Sequence, residues 1–509
     1  MKTLTTALSA ATLLGCSNLM AQDRPNIILF LVDDMGLMDT SVPFIADKNG
    51  ETHRYPLNDW YHTPSMERLA HQGICFTTFY AQSVSSPSRT SILTGQGSAR
   101  HRTTNWINGE SNNYTTYGPR EWNWEGIHVD TPIYPKILKE AGYKTIHVGK
   151  AHFGNVNSIS KDPTKVGFDV NIGGCAHGQP GSYYGESGYG WIKGNRMRAV
   201  PDLEKYHGTD TFLTDALTIE AENEIEKCVK EGKPFYLNMS HYAVHQPFET
   251  DKRFIDHYNK SDKSKSAQAF ATLIEGMDKS LGDIMDKVNE LGIAENTLII
   301  FLGDNGGDAP LGKPNGHGSS APLRGKKGSV YEGGTRVPFI AGWAKPDSKN
   351  KFQKKYPIAI NAVQNQQATV MDLYPTILSV AGAKAPKKYV LDGQDMKKLL
   401  SGKHDKKHRT DFLSHFPHGE HNSNYFTTYR VDDWKIIYFY NPATTAKPTI
   451  ELYNLVEDPF EDHNVASDNK DKVKELFQLM KERLNEEKAL YPIDKQGNTL
   501  YPVLPEMFQ

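Results

Sequence analysis

Two short, almost wholly apolar segments constrain the fold of this chain more than any other feature of its sequence. They cover residues 26–32 and 298–302. A strand is apolar at every position, and not only at alternate ones, when both faces of its sheet are covered, as in parallel sheets packed between helices. The polar residues that follow the two segments are Asp33, Asp34, Asp304 and Asn305. The pattern therefore predicts buried parallel strands that present acidic side chains at their carboxyl ends.

Helical and strand patterns alternate between these two segments. Pro64–Gln72 predicts a helix stopped by Gly73, and residues 74–80 predict the strand that follows. The alternation continues with helices at residues 132–141, 211–231 and 266–291 and strands at residues 144–148 and 235–240. Repeated strand, helix and strand units build parallel sheets. We therefore expect an α/β fold with a large mixed, mostly parallel sheet flanked by helices.

The C-terminal part of the chain follows a different pattern. Aromatic or alternating runs at residues 434–440 and 451–454 precede a charged helical segment at residues 471–488. These runs predict a smaller antiparallel sheet with one helix. A stretch rich in lysine, proline and glycine separates the two parts. We therefore expect a catalytic domain at residues 22–405 and a C-terminal subdomain at residues 406–509.

Size, charge and cysteine content exclude several classes of protein. A chain of 509 residues, of which 38% are hydrophobic, can bury a large core. Its formal net charge of −2 is unsuited to neutralising many phosphates, so nucleic acid is not an expected partner. Beyond the first residues the cysteines are Cys75, Cys175 and Cys228. They are too few for a disulfide framework, and their spacing fits no zinc site.

The first residues predict a signal peptide, residues 1–21. Lys2 is followed by an apolar stretch too short to span a bilayer, and residues 19–21 offer a cleavage site. The mature protein is then exported, to the periplasm or the cell surface of a bacterium. Residues 13–16 also resemble a lipoprotein cleavage box ending in Cys16. Membrane attachment is expected only if a lipid is anchored at that cysteine.

Residues 85–95 place a potential nucleophile, Ser85, at the start of a predicted helix. Pro87 suits a first helical turn, and Gly95 suits the left-handed position that ends a helix. Free backbone N–H groups at a helix start attract anions, and Arg89, one turn along, can meet an oxyanion there. An ordinary capping turn before a short helix shows the same local pattern. The segment by itself leaves both interpretations open.

The order Ser-x-Pro-x-Arg, four residues and Thr-Gly, starting at Ser85, resembles the signature of type I sulfatases. These enzymes belong to the alkaline phosphatase superfamily, and the chain resembles their bacterial carbohydrate-specific members. The resemblance implies an alkaline-phosphatase-like fold. It also implies that a maturation enzyme oxidises Ser85, which stands where cysteine is commoner, to formylglycine. The hydrated aldehyde offers one oxygen to attack sulfur and a second whose deprotonation expels the sulfate.

The acidic residues at the two strand ends predict a metal site. Their ligand atoms are all oxygens, which hard cations such as calcium and magnesium prefer over the ligands of zinc. Carboxylates gathered at one sheet edge repel each other unless a cation lies between them. A single Asp-Asp pair could instead cap a helix or stabilise a turn. The sulfatase resemblance implies one calcium ion bound by Asp33, Asp34, Asp304 and Asn305.

Two further segments resemble sulfatase motifs that follow strands. Lys150 and His152 resemble the family's Lys-Trp-His motif, with Ala151 in place of tryptophan. His245 lies in an Ala-Val-His-Gln-Pro segment that resembles a His-x-Pro motif. The resemblance implies that Lys150 contacts the sulfate, that His152 contacts the formylglycine hydroxyl and that His245 protonates the leaving alcohol. Histidine titrates in the range that this last role requires.

Residues 323–338 resemble another extended sulfatase segment and supply a further lysine. Aligning its arginine and glycines places Lys327 at the sulfate, although Lys326 is adjacent. The cationic side chains of Arg89, Lys150 and Lys327 then form a clamp for an oxyanion. Preorganised charge of this kind is usually the largest contribution to catalysis.

Together these motifs predict an exported sulfatase that hydrolyses a sulfate monoester, on a carbohydrate in preference to other substrates. The enzyme alternative is a phosphomonoesterase that uses unmodified Ser85, or a phosphonate monoester hydrolase, of the same superfamily. The non-enzyme alternative is a sulfated-glycan binding protein without activity. Specificity is expected in loops, which are abundant at residues 154–208. The residues predicted to contact the sugar are His177, Arg100, His101, Trp106 and His418.

Overall fold

The computed structural model describes residues 23–420, 424–444 and 447–509. The predicted signal peptide, including Cys16, lies outside the described residues. Cys75, Cys175 and Cys228 are free thiols. In the described part of the chain, no helix is both long and apolar enough to cross a membrane.

An eight-stranded sheet forms the centre of the larger unit. Its strands, in chain order, are β1 (Asn26–Val32), β2 (Gly73–Phe76), β3 (Lys144–Gly149), β4 (Val170–Ile172), β5 (Phe235–His241), β6 (Thr297–Gly303), β7 (Phe339–Trp343) and β8 (Ala362–Gln364). They lie side by side in the order β8-β2-β7-β6-β1-β5-β3-β4. Only β7 runs antiparallel to its neighbours in this sheet. The prediction of a large mixed, mostly parallel sheet is confirmed.

Helices cover both faces of this sheet. The longer ones are α1 (Pro64–Gln72), α2 (Ser85–Thr94), α3 (Tyr134–Glu140), α4 (Leu213–Lys230), α6 (Lys265–Glu290) and α7 (Leu373–Ala381), with the single turn α5 (Ile255–Tyr258) before α6. Along β1, Ile28 and Phe30 join the apolar core on one face, while Ile27 and Leu29 join the core on the other. Burial on both faces explains why the strand is apolar at every position.

The strand register brings the acidic residues together. β1 is the central partner of both β5 and β6, and Val32 lies opposite His241 on one side and Gly303 on the other. Because all three strands are parallel, their carboxyl ends meet at one sheet edge. The backbone N–H of Asp34 donates to Oδ1 of Asp304 across this edge at 3.0 Å.

Two segments differ from their predicted structure. The strand expected at residues 74–80 is broken, because β2 ends at Phe76 and Phe79–Tyr80 pairs instead with Ala368–Thr369. This switch turns the chain away from the sheet before the Ser85 helix. Residues 154–208 form loops and short 3₁₀ turns, as expected, but also contribute the edge strand β4.

The C-terminal part forms a separate antiparallel sheet with one long helix. Its strands are β9 (Asp411–Phe416), β10 (Phe426–Val431), β11 (Trp434–Phe439) and β12 (Thr449–Asn454), and the helix is α8 (Lys470–Glu486). Lys435 of this sheet is buried between Glu332 at 3.1 Å and Glu461 at 2.8 Å. Glu332 belongs to the larger unit, so this buried cation joins the two sheets. We retain the division at residue 405 as a proposal.

Candidate active site

The first residue of α2 is Ser85, whose side chain lies at the carboxyl edge of the large sheet. The helix ends at Gly95, which has a left-handed φ of 68°. A β-carbon there would lie 2.7 Å from Leu391 and 2.8 Å from Tyr374. Glycine is therefore needed both for the turn and for the close packing that fixes the helix. Ser85 itself is only 3% exposed.

The Ser85 hydroxyl lies between two cations and two carboxylates. Lys150 Nζ donates to its oxygen at 2.8 Å, and Arg89 Nε donates at 3.1 Å. The hydroxyl is also within hydrogen-bond distance of Asp33 Oδ1, at 3.1 Å, and of an Asp304 oxygen. An oxygen atom at the position of the Ser85 hydroxyl is thus surrounded by groups that can stabilise a negative charge on it or accept its proton.

Each buried carboxylate at the sheet edge has a cationic partner. Lys150 Nζ lies 2.6 Å from Asp33, and an Arg89 nitrogen lies 2.9 Å from Asp304. Lys327 Nζ lies 2.8 Å from Asp34. One ligand atom from each of the three carboxylates lies within 4.8 Å of the others. The cluster therefore concentrates both signs of charge among buried side chains.

The pKa values of the three carboxyl groups differ, because their cationic neighbours offset the effect of burial to different extents. Burial raises the pKa of Asp33 to about 8, against the opposing effect of Lys150. Burial also acts to raise the pKa of Asp34, but Lys327 and His245 outweigh it and leave the pKa well below its ordinary value. The pKa of Asp304 is lowered, because Arg89 and Lys150 together outweigh its burial.

The residues at this edge fit a hard cation. Within the described residues, Asp33 Oδ2 and Asn305 Oδ1 are buried without a hydrogen-bond partner. Buried oxygens without a partner are costly unless a cation binds them. The set formed with Asp34 and Asp304 offers only oxygen atoms, as calcium prefers.

The backbone after β3 places Lys150 beside Ser85 and His152 beside Ser86. Gly149 has a left-handed φ of 96°, and a β-carbon there would lie 2.0 Å from the carbonyl oxygen of Ser240. His152 is buried, with Nε2 2.6 Å from the carbonyl oxygen of Ile107. Its burial, together with Lys150, holds its pKa well below the ordinary value. A neutral His152 can accept or relay a proton.

His245 lies in the loop after β5 and faces the carboxylate cluster. Its Nδ1 donates to the carbonyl oxygen of Gln246 at 3.0 Å, and its Nε2 lies 3.6 Å from Asp34 Oδ2. Burial and the neighbouring Lys327 lower its pKa to about 3. An anionic ester bound between His245 and the lysines would oppose this lowering and favour the protonated ring.

The two adjacent lysines of the 323–338 segment have different partners. Lys326 Nζ forms an ion pair with Asp308 at 2.5 Å, whereas Lys327 Nζ contacts Asp34. The geometry therefore favours Lys327 as the lysine that faces a bound oxyanion.

A pocket of about 460 Å³ opens above Ser85. Two of the residues predicted to contact the sugar, Trp106 and His177, line it. His177 Nε2 lies 3.7 Å from a carboxylate oxygen of Glu110, also at the pocket. The remaining lining residues include the site residues Lys150, His152, His245 and Lys327.

The structure places the other three predicted sugar contacts away from this pocket. Arg100 forms an ion pair with Asp392 at 2.7 Å. His101 is directed at the hydroxyl of Ser91, and His418 is buried beside Thr104. Arg100 and His101 were predicted because they follow the nucleophile helix in the sequence. Position in the sequence, however, does not determine the direction of a side chain. Their contacts with Asp392 and Ser91 turn these side chains away.

Several pocket residues have no sequence motif. They include Asn108, Glu110, Gln179, Arg198 and Asp308, whereas Gln246, also at the pocket, belongs to the His245 segment. Gln179 lies two residues from His177, in a glycine-rich segment whose composition already indicated a loop near the site. Arg198 belongs to the same loop-rich range, residues 154–208. Asn108, Glu110 and Asp308 come from loops whose proximity depends on the fold, and no local pattern in the sequence indicates them.

Residues 25–383 match the sequence model of the Sulfatase family, and residues 327–490 match that of the N-sulphoglucosamine sulphohydrolase C-terminal region. N-acetylgalactosamine-6-sulfatase from Mus musculus is 32% identical over 402 residues, which cover 76% of this chain and 68% of the relative. A sulfatase from Formosa agariphila is 27% identical over 522 residues, covering 88% of this chain and 86% of the relative.

The solved structure of Ps i-CgsB in complex with k-i-k-neocarrahexaose has the same fold. Its TM-score is 0.69 at 24% identity, over 91% of this chain and 93% of that one. The family match covers the strand ends, the Ser85 helix and the loops that carry Lys150, His245 and Lys327. The protein with this sheet, this helix and this buried charge cluster therefore belongs to the sulfatase family and is a sulfuric ester hydrolase.

Proposed function

We propose that the protein removes a sulfate group from a carbohydrate, with residue 85 as the nucleophile after its oxidation to formylglycine. The observation that carries this proposal is the position of the Ser85 oxygen, in contact with Lys150, Arg89 and the buried carboxylates. A plain serine hydroxyl is a weak nucleophile, and no histidine contacts it in the described residues to act as its base. The hydrated aldehyde supplies the nucleophilic oxygen.

Calcium is the cation we propose for Asp33, Asp34, Asp304 and Asn305. When bound, it supplies positive charge to the sulfate oxygens. Arg89, Lys150 and Lys327 hold the sulfate from the protein side and keep sulfur close to residue 85. Because these cations are buried and already ordered by the carboxylates, they need little rearrangement as charge develops on the oxyanion.

We propose that His245 donates a proton to the departing alcohol oxygen as the sulfur–oxygen bond breaks. His152 lies near Ser86, the residue next to the nucleophile, and we propose that it accepts the proton of the second hydroxyl of the hydrated aldehyde. As that proton leaves, the C=O bond of the aldehyde forms again and the bond between its carbon and the sulfated oxygen breaks. This step releases sulfate. Addition of a new water molecule to the aldehyde then restores the hydrated form for the next cycle.

The acid role of His245 is tested with His245→Ala and two kinds of substrate. Hydrolysis of sugar sulfates should fall about 100- to 10,000-fold, because an alkoxide is a poor leaving group without a proton. Hydrolysis of an aryl sulfate should fall much less, since a phenolate leaves unaided. Steady-state kinetics on both substrates gives the comparison. Equal losses would show that His245 has another role.

Carbohydrate is proposed as the carrier of the sulfate on two grounds. The pocket above Ser85 combines an aromatic side chain, Trp106, with polar groups such as His177 and Gln179. Mixed apolar and polar linings of this kind recognise ring faces and hydroxyls. The Mus musculus relative is named N-acetylgalactosamine-6-sulfatase, and Ps i-CgsB was solved in complex with k-i-k-neocarrahexaose.

We propose that His177 recognises the sugar by a hydrogen bond to a ring hydroxyl. Galactose-type sugars are the preferred substrates in this proposal, because their axial hydroxyl is a distinctive hydrogen-bond target. His177→Ala should lower activity on the preferred sugar about 10- to 1,000-fold. Activity on an aryl sulfate, which has no hydroxyls, should hardly change. The test is steady-state kinetics on galacto-configured sugar sulfates, gluco-configured sugar sulfates and the aryl sulfate. A uniform loss would mean that His177 only maintains the structure.

Export and maturation complete the proposal. The signal peptide at residues 1–21 sends the protein to the periplasm or cell surface, with lipid anchoring as the alternative if Cys16 is modified. A formylglycine-generating enzyme must act on Ser85 before the helix is buried, because the folded protein leaves that side chain only 3% exposed.

A further inference from the structure

We propose that His62, His257 and Glu275 form a second metal site, on the surface, for a transition metal such as zinc. None of the three lines the pocket above Ser85. Both imidazoles face one carboxylate: His62 Nδ1 lies 2.8 Å from Glu275 Oε1, and His257 Nδ1 lies 2.9 Å from the same oxygen. One ligand atom from each residue lies within 4.8 Å of the others.

Three separate segments bring these residues together. His62 lies just before α1, His257 lies in the turn α5, and Glu275 lies in the long helix α6. The two imidazole rings are 5.0 Å apart between centroids. A metal ion at this point would therefore join the loop at His62 to α5 and α6, two consecutive helices that lie far from that loop in sequence.

The donor set is the one that zinc accepts and that calcium does not prefer. Two imidazole nitrogens and one carboxylate make up the three protein ligands of many zinc sites, with water as the fourth. The site at Asp33 offers oxygens only, so the two sites are expected to select different ions by ligand type. Zinc added to the calcium-loaded protein should go to the histidines.

The distances require only small side-chain movements. Two ligand atoms about 2.0–2.1 Å from a tetrahedral zinc ion lie about 3.3 Å apart. The nitrogen–oxygen separations of 2.8 and 2.9 Å are close to this value. The imidazoles are 57% and 55% exposed, so they can adjust and an ion can reach them, whereas Glu275 is only 7% exposed and held in place.

A neighbouring hydroxyl orients the buried ligand. The side chain of Tyr258 hydrogen-bonds Glu275 and accepts the backbone N–H of His62 at 3.3 Å. Partners of this kind fix ligand orientation in metal sites and contribute to affinity. Tyr258 lies next to His257 in the chain, so α5 supplies both a ligand and the group that orients another.

The test is zinc binding by the full, calcium-loaded protein in excess calcium. Isothermal titration calorimetry with zinc chloride should show one binding site per chain. Addition of cobalt chloride should give the visible absorption of a cobalt ion that has nitrogen ligands and a low coordination number. His62→Ala and His257→Ala should each weaken zinc binding at least about 10-fold and abolish the cobalt absorption. Both imidazoles are exposed, so neither change should disturb folding.

His53→Ala is the matched control, since His53 is an exposed histidine that faces a single carboxylate, Asp47, at 3.1 Å. It should bind zinc as the unaltered protein does. Thermal unfolding adds an independent readout: zinc should raise Tm for the unaltered protein and the control but not for the two variants. Unchanged zinc binding in either histidine variant, or no zinc binding by the unaltered protein, would overturn the proposal.

Discussion

Ser85→Ala should lower the hydrolysis of sulfated saccharides by at least about 1,000-fold, because it removes the atom from which the nucleophile is made. The surrounding cations remain, so the variant should still bind substrate. Mass spectrometry of the peptide containing residue 85 completes the test. In active, unaltered protein this peptide should be lighter by two hydrogens, as the proposed oxidation of serine to the aldehyde requires.

Ser88→Ala is the control for this experiment. Ser88 is buried in the same helix, but its hydroxyl only donates to backbone carbonyl oxygens, of Gln82 and Val84. The variant should keep most of its activity and its modification at residue 85. Full activity in protein that contains only unmodified serine would contradict the formylglycine mechanism. It would instead favour a phosphatase-like use of the Ser85 hydroxyl.

Asp304→Ala should remove bound calcium and lower activity about 100- to 1,000-fold. Asp304 contacts both Arg89 and the Ser85 oxygen, so its loss also leaves the Arg89 guanidinium without its partner at 2.9 Å. Removal of the ion from the unaltered protein with a chelator should cause a similar loss, restored by calcium. Elemental analysis of the purified protein measures the ion directly.

Asp308→Asn is the matched control for calcium content. Asp308 is also an acidic residue at the pocket, but its partner is Lys326 and it lies outside the carboxylate cluster. This variant should retain one calcium ion per chain. Stoichiometric zinc at the cluster, or full activity of Asp304→Ala, would refute the calcium site.

Features with a local signal were predicted well. The bounds of α1 agree with the expected Pro64–Gln72, because proline at its start and glycine after its end mark a helix within a few residues. Gly95 ends α2 for the same reason. Continuous apolar runs predicted β1 and β6, because burial on both faces removes the alternation of polar and apolar residues.

Features that depend on long-range contacts were not predicted. The antiparallel direction of β7 follows from how the chain returns to the sheet, which leaves no mark on its apolar residues. The direction of Arg100 is set by Asp392, far along the chain. The partner of each lysine in the pair Lys326 and Lys327 depends on which carboxylate the fold brings near.

The sequence by itself determined the family, the α/β class and the residue types of the charge cluster, because motifs and strand patterns are properties of neighbouring residues. Only the tertiary structure decided which charges meet. The register of β1 with β6 brings Asp33 and Asp304 to one edge, and the loops after β3 and β5 add Lys150 and His245. The pocket above Ser85 was likewise decided by the fold, since its lining residues come from loops whose closeness in space no local pattern encodes.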